Sequence, residues 1–139
     1  MRFLDANIFI YAFYTPTGKL QKRQREMKTA SQEIVKRIND GEEDVVTTVV
    51  HLSEIVNILK RALSLDDLVH IVTTFYSLDN MHIDGVSPHD YLGAVELMGE
   101  LSLDANDALA VQVMRHRGIE QIYSFDQGFE HAKGIQRIP

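Results

Sequence analysis

A chain of 139 residues with 45% hydrophobic and 24% charged residues has the size and composition of a soluble globular protein, and we expect residues 1–139 to form one domain. It contains no cysteine, which excludes disulfides, thiolate metal sites and a cysteine nucleophile. The formal charge of −6 argues against a general nucleic-acid coat but leaves room for a local basic groove. No apolar run approaches the roughly 20 residues of a membrane span, and the N-terminus lacks a signal-peptide pattern, so we expect a cytoplasmic protein without membrane association.

The chain opens on a short apolar strand, Phe3-Leu4, which is followed by Asp5 and Asn7. In open α/β sheets the ligands bind beyond the carboxyl ends of such strands, so these two polar residues stand where chemistry usually takes place. Capping of the helix predicted at residues 8–13 explains them equally well. A turn is predicted at residues 15–18, and a long helix that is basic in its first half is predicted at residues 19–39.

The rest of the chain alternates strands with helices. Strands are predicted at residues 44–48, 81–84, 121–125 and 135–138. Helices are predicted at residues 50–63, 65–78, 88–101 and 105–116, with Ser64 and Ser87 as caps and Gly118 as a stop. This alternation predicts an α/β fold with a central parallel sheet and helices on both faces, in three α/β/α layers.

Three acidic residues stand at strand ends or at a helix start. Asp5 ends the first strand, Asp126 follows the strand at residues 121–125, and Asp107 opens a helix. In a parallel sheet these places converge on one edge. Asp107 heads an apolar helical stripe, and a carboxylate in that position should be paired, capped or bound to metal. Asp104, three residues earlier, has the position of the N-cap of the same helix.

The other candidate residues carry weaker signals. Glu54 points away from the apolar stripe of its helix, and periodicity alone makes it an exposed helix residue. Thr48 and Ser124 suit the positioning of a ligand or water, but they are equally natural as cap or strand-end residues. The six histidines are scattered singly without the spacing of a zinc-hydrolase motif such as H-E-x-x-H, so we interpret them as surface or packing residues.

Four short segments combine these polar residues with apolar neighbours. They are Phe3-Leu4-Asp5-Ala6-Asn7-Ile8, Thr48 with Leu52-Ser53-Glu54-Ile55, Asp107-Ala108-Leu109-Ala110, and Ser124-Phe125-Asp126-Gln127-Gly128-Phe129. Together, over essentially the whole chain, they resemble the PIN domain family, and within it the prokaryotic VapC-type toxins. Each motif is short, so the resemblance depends on the ordered set. Ser124 departs mildly from the family pattern, which more often has Thr at that position.

The resemblance implies a metal-dependent ribonuclease that hydrolyses RNA phosphodiester bonds. The catalytic and metal-binding carboxylates that it implies are Asp5, Glu54, Asp107 and Asp126. The supporting residues are Asn7, Thr48 and Ser124, with Asp104 in a mainly structural role. Carboxylates are hard ligands, so we expect Mg²⁺ or Mn²⁺, held mainly by Asp5 and Asp107. Because these acids repel one another without metal, at least one should have a raised pKa.

The resemblance also implies partners. RNA is the expected substrate, a small antitoxin is the expected inhibitor, and a homodimer through the helix at 50–63 or 65–78 is expected. The main candidate RNA-binding residues are Lys19, Lys22, Arg23 and Arg25, and further candidates are Lys60, Arg61, Arg115 and Arg117; each of them is also explained as part of a solvated face. Two alternatives remain at this stage. One is a PIN-like scaffold that binds RNA or a partner without cleavage. The other, with less support, is a phosphorelay receiver-like domain.

Overall fold

The structure, a computed structural model, describes residues 1–14 and 18–139. The strands are β1 (Arg2–Leu4), β2 (Val45–Thr48), β3 (Met81–Asp84), β4 (Gln121–Tyr123) and β5 (Gln136–Ile138). The helices are α1 (Ala6–Phe13), α2 (Lys22–Asn39), α3 (Val49–Leu59), α4 (Leu65–Ser77), α5 (Pro88–Leu101) and α6 (Ala105–Arg117). A short 3₁₀ helix spans Gln127–His131. Apart from Gly18, the turn predicted at residues 15–18 lies outside the described residues.

All five strands are parallel and form one sheet in the order β3-β2-β1-β4-β5. β1 therefore lies in the centre, with Phe3 opposite Val46 on one side and Ile122 on the other. A strand in this position has no solvated face, which explains why its two central residues are apolar. The order also excludes the receiver-like alternative, because that fold has the strand order 2-1-3-4-5.

Helices cover both faces of the sheet, as predicted. Phe3 belongs to a core that includes residues of α5 and α6, among them Leu109 and Met114. Leu4 points to the other face and packs in a second core with α1 to α4. The chain is thus a single α/β domain with three layers. None of the helices in the described ranges combines the length and the apolar composition that a bilayer crossing needs.

Four predicted boundaries were wrong by two residues or more. The helix predicted from residue 8 begins at Ala6. The helix predicted from residue 19 begins at Lys22, because a capping box between Gln21 and Gln24 fixes its start. The helix predicted to reach residue 63 ends at Leu59 and continues only as hydrogen-bonded turns. The strand predicted to reach residue 125 ends at Tyr123, because the N–H of Phe125 turns to a side chain instead of the ladder. The 3₁₀ helix after it was not predicted.

Candidate active site

Asp5 lies at the end of the central strand, in the position predicted from the sequence. Its N–H donates to the carbonyl of Tyr123 at 3.1 Å, and only 5% of the residue is exposed. Although Asp5 occupies the N-cap position of α1, its side chain makes no capping hydrogen bond. Helix capping therefore does not explain this carboxylate.

The hydroxyl of Ser124 organises the surroundings of Asp5. Its Oγ donates to Asp5 Oδ2 at 2.6 Å and accepts from the N–H of Asp126 at 3.0 Å. Asn7 Nδ2 donates to Ser124 Oγ at 3.3 Å, while Asn7 Oδ1 accepts from the N–H of Phe125 at 3.4 Å. These bonds use the one donor and two acceptor positions of a hydroxyl. The structure thus brings Asn7 and Ser124 to Asp5.

Asp126 lies at the start of the 3₁₀ helix and is exposed. Its Oδ1 accepts from the N–H of Gly128 at 2.8 Å, so one oxygen is held by the backbone. A β-carbon at Gly128 would stand 2.9 Å from Leu103 Cδ2 and 3.1 Å from that same oxygen. The close approach that fixes Asp126 therefore favours glycine at position 128, since a larger residue would displace the Leu103 side chain or the carboxylate.

Asp107 stands in the first turn of α6, three residues after Asp104, the N-cap predicted from the sequence. Asp104 Oδ1 accepts from the N–H of Asp107 at 2.9 Å, which confirms Asp104 as the N-cap. The Asp107 side chain forms a hydrogen bond with the side chain of Asp126. Two carboxyl groups can share a hydrogen bond only if one of them carries a proton.

The pKa of Asp107 is raised to about 8, mainly by burial and further by the charges of Asp5, Asp104 and Asp126 and by the hydrogen bond with Asp126. A proton on this carboxyl is therefore the natural state near neutral pH in the absence of a cation. The apolar surroundings at the start of α6 and the charges of neighbouring acids both raise the pKa of this one carboxyl.

Burial also raises the pKa of Asp5 to about 6. The hydrogen bonds from Ser124 and from the N–H of Ala6 oppose the shift, and the charges of Glu54 and Asp126 add to it. The expectation of a raised carboxyl pKa is thus met at two residues. Burial is the larger cause at both, and mutual repulsion is the smaller one.

Glu54 is half-buried on α3 and not fully exposed as periodicity alone predicts. Its Oε2 accepts from Asn106 Nδ2 at 3.2 Å. Because Asn106 belongs to the first turn of α6, the residue next to Asp107 holds the carboxylate of α3. The amide was not recognised from the sequence, although its position beside Asp107 was a usable signal.

A buried histidine connects Thr48 to the same turn. Thr48 Oγ1 caps α3 by accepting from the N–H of His51 at 3.3 Å, and it lies 2.7 Å from His51 Nδ1. His51 Nε2 lies 3.0 Å from the carbonyl of Asn106. A carbonyl only accepts, so Nε2 carries the proton and Nδ1 accepts from the threonine hydroxyl. Burial lowers the pKa of His51 to about 4, in keeping with this neutral form. This role of His51 was not predicted from the sequence.

The structure does not join the predicted RNA-binding residues to these acids. Lys19, Lys22, Arg23 and Arg25 are all exposed. Lys22 and Arg25 line a hollow on α2 that also contains Glu26 and Glu33. Lys22 Nζ lies 4.0 Å from Glu26 Oε1. In residues 1–14 and 18–139, no hydrogen bond or ion pair connects the four basic side chains to Asp5, Glu54, Asp107 or Asp126.

The acidic side chains fit a hard divalent cation by their chemistry. All the donors are carboxylate, amide or hydroxyl oxygens, which suit Mg²⁺ or Mn²⁺ and not a thiophilic metal. Asp5 is buried and Asp107 is half-buried, and both have a raised pKa, so they would lose protons on binding such an ion. Within the described residues, no three His, Asp or Glu side chains stand close enough together to hold a metal ion.

Comparison of the fold with solved structures finds toxins of the same architecture. The crystal structure of Mycobacterium tuberculosis VapC20, described as a toxin that cleaves the sarcin–ricin loop, matches with a TM-score of 0.75 and 20% identity over 100% of both chains. A toxin–antitoxin complex from Klebsiella pneumoniae matches with a TM-score of 0.64 and 18% identity, covering 98% of this chain and 96% of that one. VapBC2 from Rickettsia felis, bound to a DNA fragment from its promoter, matches with a TM-score of 0.64 and 13% identity, covering 99% and 96%.

At these identities the structural matches show the fold alone. No curated protein matches the sequence. The family model of the PIN domain, in contrast, matches residues 2–135, which is almost the whole chain and includes every acidic residue of the site. The resemblance noted from the four short segments is therefore confirmed, and this protein belongs to the PIN domain family.

Proposed function

We propose that this protein is a Mg²⁺- or Mn²⁺-dependent endoribonuclease and the toxin of a toxin–antitoxin pair. The observation that carries the proposal is the raised pKa of two neighbouring carboxyls: that of Asp5, buried at the end of the central strand, and that of Asp107, half-buried in the first turn of α6. In the described part of the chain no cationic side chain lies within 4.0 Å of either carboxylate. Such acids suit a site that receives its positive charge from a bound ion.

In this proposal Asp5 and Asp107 are the principal metal ligands, and Glu54 and Asp126 hold a second ion or the attacking water. A divalent ion, when bound, supplies polarisation of the scissile phosphate and a lowered pKa for water. Ser124 keeps Asp5 in place through its hydroxyl, and Asn106 keeps Glu54 in place through its amide. Asp107 releases its carboxyl proton before it can act as a ligand.

RNA approaches a patch of negative charge, so basic residues must contribute binding from outside it. We propose this role for Lys19, Lys22, Arg23 and Arg25, all exposed before or within the first turns of α2. Reversing the charge of Lys22 and Arg23 together should weaken RNA binding and leave metal binding intact. Unchanged RNA affinity at low salt would reject this role.

The partners follow from the same proposal. Two of the matching structures are complexes of a toxin with its antitoxin, which supports a small antitoxin that blocks this site. A homodimer is supported by α4, where Leu65, Val69 and Tyr76 are 72%, 61% and 62% exposed. A single-subunit mass at micromolar concentration would count against the dimer. We place the protein in the cytoplasm, where its RNA substrate would be.

The proposal is tested by incubating the purified protein with RNA in Mn²⁺, in Mg²⁺ and in EDTA, with Asp107→Asn in parallel. Cleavage that needs metal and is lost in the variant supports the nuclease. The alternative is a PIN-like scaffold that binds RNA or a partner without cleavage, and the lack of three metal-ready side chains among the described residues favours it. No cleavage together with no metal-induced rise in thermal stability would select the scaffold.

A further inference from the structure

A cavity of about 440 Å³ lies between α1, α2 and α3, next to the candidate active site. Its volume lies within the roughly 300–1,000 Å³ of small-molecule sites. The residues that matter for its chemistry are Tyr11, Tyr14, Lys28, Ile58 and Arg61. The candidate metal ligands do not line it, and neither do the four basic residues before or within the first turns of α2; Arg61, one of the further basic candidates named from the sequence, does.

Two helices lead from the acidic residues into this cavity. Tyr11 lies one turn after Asn7 on α1, and Ile58 lies one turn after Glu54 on α3, so each pair shares a helix face. Arg61 follows in the turn beyond α3. At a rise of 1.5 Å per residue, these positions lie about 6–10 Å along the helices from the acidic residues.

On the side of the sheet, an aromatic contact joins the cavity to the candidate active site. The ring of Tyr11 meets the ring of Phe125 edge-on, with centroids 5.4 Å apart. Phe125 stands between Ser124 and Asp126, the two residues that hold and complete the acidic group around Asp5. The wall of the cavity is therefore continuous with the candidate active site.

The cavity combines aromatic rings with positive charges that lack acidic partners. Lys28 Nζ donates to the carbonyls of Tyr11 and Tyr14 at 3.3 and 3.1 Å, so the ammonium stands at the end of α1. In the described part of the chain, no carboxylate lies within 4.0 Å of Lys28 or Arg61. No acidic residue lines the cavity either, unlike the hollow beside Lys22, where Glu26 and Glu33 would repel a phosphate.

We propose that this cavity binds an unpaired nucleotide of the RNA, with the base against Tyr11 and Tyr14 and a phosphate against Arg61. Aromatic platforms beside cationic groups are how proteins hold single-stranded RNA. A stacked strand rises about 3.4 Å per nucleotide, so the bound nucleotide lies two or three positions from the phosphate at the acidic residues. The identity of the ligand as substrate rests on the proposed nuclease function.

The test measures binding without cleavage. A fluorescein-labelled single-stranded RNA of about ten nucleotides is titrated with protein in EDTA, and anisotropy gives the affinity. Tyr14→Ala and Arg61→Ala should each weaken binding by about 5- to 100-fold, the range expected for the loss of one stacked or charged nucleotide contact. Tyr14→Phe keeps the ring and should retain most of the affinity.

Two control variants remove a positive charge and a tyrosine ring at positions outside the cavity. Lys133→Ala removes an exposed positive charge that does not line the cavity, and Tyr76→Ala removes an exposed tyrosine from α4. Thermal unfolding establishes that every variant is folded. Unchanged affinity in the two cavity variants, or an equal loss in Lys133→Ala, would overturn the proposal. RNA carrying 4-thiouridine should also crosslink on irradiation to Tyr11 or Tyr14, and crosslinks confined to other residues would overturn it.

The result is independent of the catalytic test. If the affinities fall as expected but no metal-dependent cleavage is found, the nucleotide cavity stands and the nuclease fails. If cleavage is found but both cavity variants bind RNA like the unaltered protein, the nuclease stands and the cavity is overturned. An occupant of another class, such as a peptide of a partner protein, would give this second result.

Discussion

Within the residues that the structure describes, shielded carboxylates at the two ends of β1 have opposite surroundings: one has cationic partners and the other does not. Beside the start of β1 and β2, the carboxylate of Glu43 accepts from Arg2 Nη1 at 2.7 Å and from the hydroxyl of Tyr123 at 2.8 Å. Arg37 Nε lies 3.4 Å from it as well, and 14% of the Glu43 side chain is exposed. At the other end of β1, Asp5 is also shielded from water, with 5% of the residue exposed. Its carboxylate accepts from a serine hydroxyl, whereas that of Glu43 lies beside two guanidinium groups.

The difference teaches where the fold is optimised for stability and where it is not. A shielded carboxylate with charged partners adds to stability only through those partners, and removing one partner is costly. Asp5 and Asp107 lack such partners, and their raised pKa means that each charged form destabilises the fold. Sites where local stability rules are broken are where function is expected.

The largest effect is expected from Asp107→Asn, which removes the charge and keeps the shape. The amide can still donate to Asp126, as the protonated acid does. Cleavage should fall on the order of 10²-fold or more, because a principal ligand is lost. The thermal midpoint of the metal-free protein at pH 8 should rise, because a buried charge is removed. Asp66→Asn, at an exposed position on α4, is the matched control. Lower stability in the Asp107 variant would contradict the comparison.

The opposite result is expected at Glu43. Glu43→Ala leaves Arg2 and the Tyr123 hydroxyl without their shared acceptor, and should lower the free energy of unfolding by about 2–4 kcal/mol. Cleavage per folded molecule should not change, because none of these groups touches the candidate active site. Urea denaturation and a cleavage assay at low temperature measure the two quantities. A stability loss below about 0.5 kcal/mol, the range of an ordinary surface substitution, would show that the network is unimportant.

The pH dependence of stability should follow the acidic residues and not the ion pairs. The pKa of Asp5 is about 6 and that of Asp107 about 8, both above the ordinary 3.8. Between about pH 4 and 8 these two carboxyls bind more protons in the native state than in the unfolded state, which makes the free energy of unfolding fall as pH rises. His51, whose pKa is lowered from 6.5 to about 4, acts in the opposite direction below about pH 6.5. The fall should therefore be clearest between about pH 6.5 and 8, where only Asp107 still titrates among the three. Thermal unfolding in EDTA across this window measures the slope. Saturating Mg²⁺ should reduce it, because the ion binds the deprotonated acids. Stability that rises with pH throughout the window would refute the prediction.

The sequence predicted those features whose determinants lie close together along the chain. Ser64, Ser87 and Asp104 were recognised as caps because each accepts from an N–H three residues later. The layers were predicted because apolar periodicity records which side of an element is buried. Asp107 was recognised for the same reason, since it heads a stripe that the structure buries completely.

The missed features depend on distant contacts. The end of β4 was wrong because Asn7, which takes the N–H of Phe125, is 118 residues away along the chain. Glu54 could not be distinguished from a solvated residue, because Asn106 is separated from it by 52 positions. His51 was treated as packing because nothing local shows that the start of α6 crosses above it. The ordered motifs of the family supplied Glu54, which periodicity did not.

The smallest effect is expected from Asn106→Ala, which sharpens the comparison at Glu54. The variant removes the amide that donates to Glu54 Oε2 but leaves the carbonyl that His51 uses, so stability should change by no more than about 1 kcal/mol. The Mn²⁺ concentration for half-maximal cleavage should rise about tenfold, the usual cost of losing a group that orients a ligand. An unchanged Mn²⁺ requirement would show that Glu54 needs no orientation from α6. A raised Mn²⁺ requirement would show that neutral amides and hydroxyls position the acidic residues. Such groups hold a carboxylate in place and leave its negative charge available for a cation. Glu43 differs, because guanidinium groups already neutralise its charge.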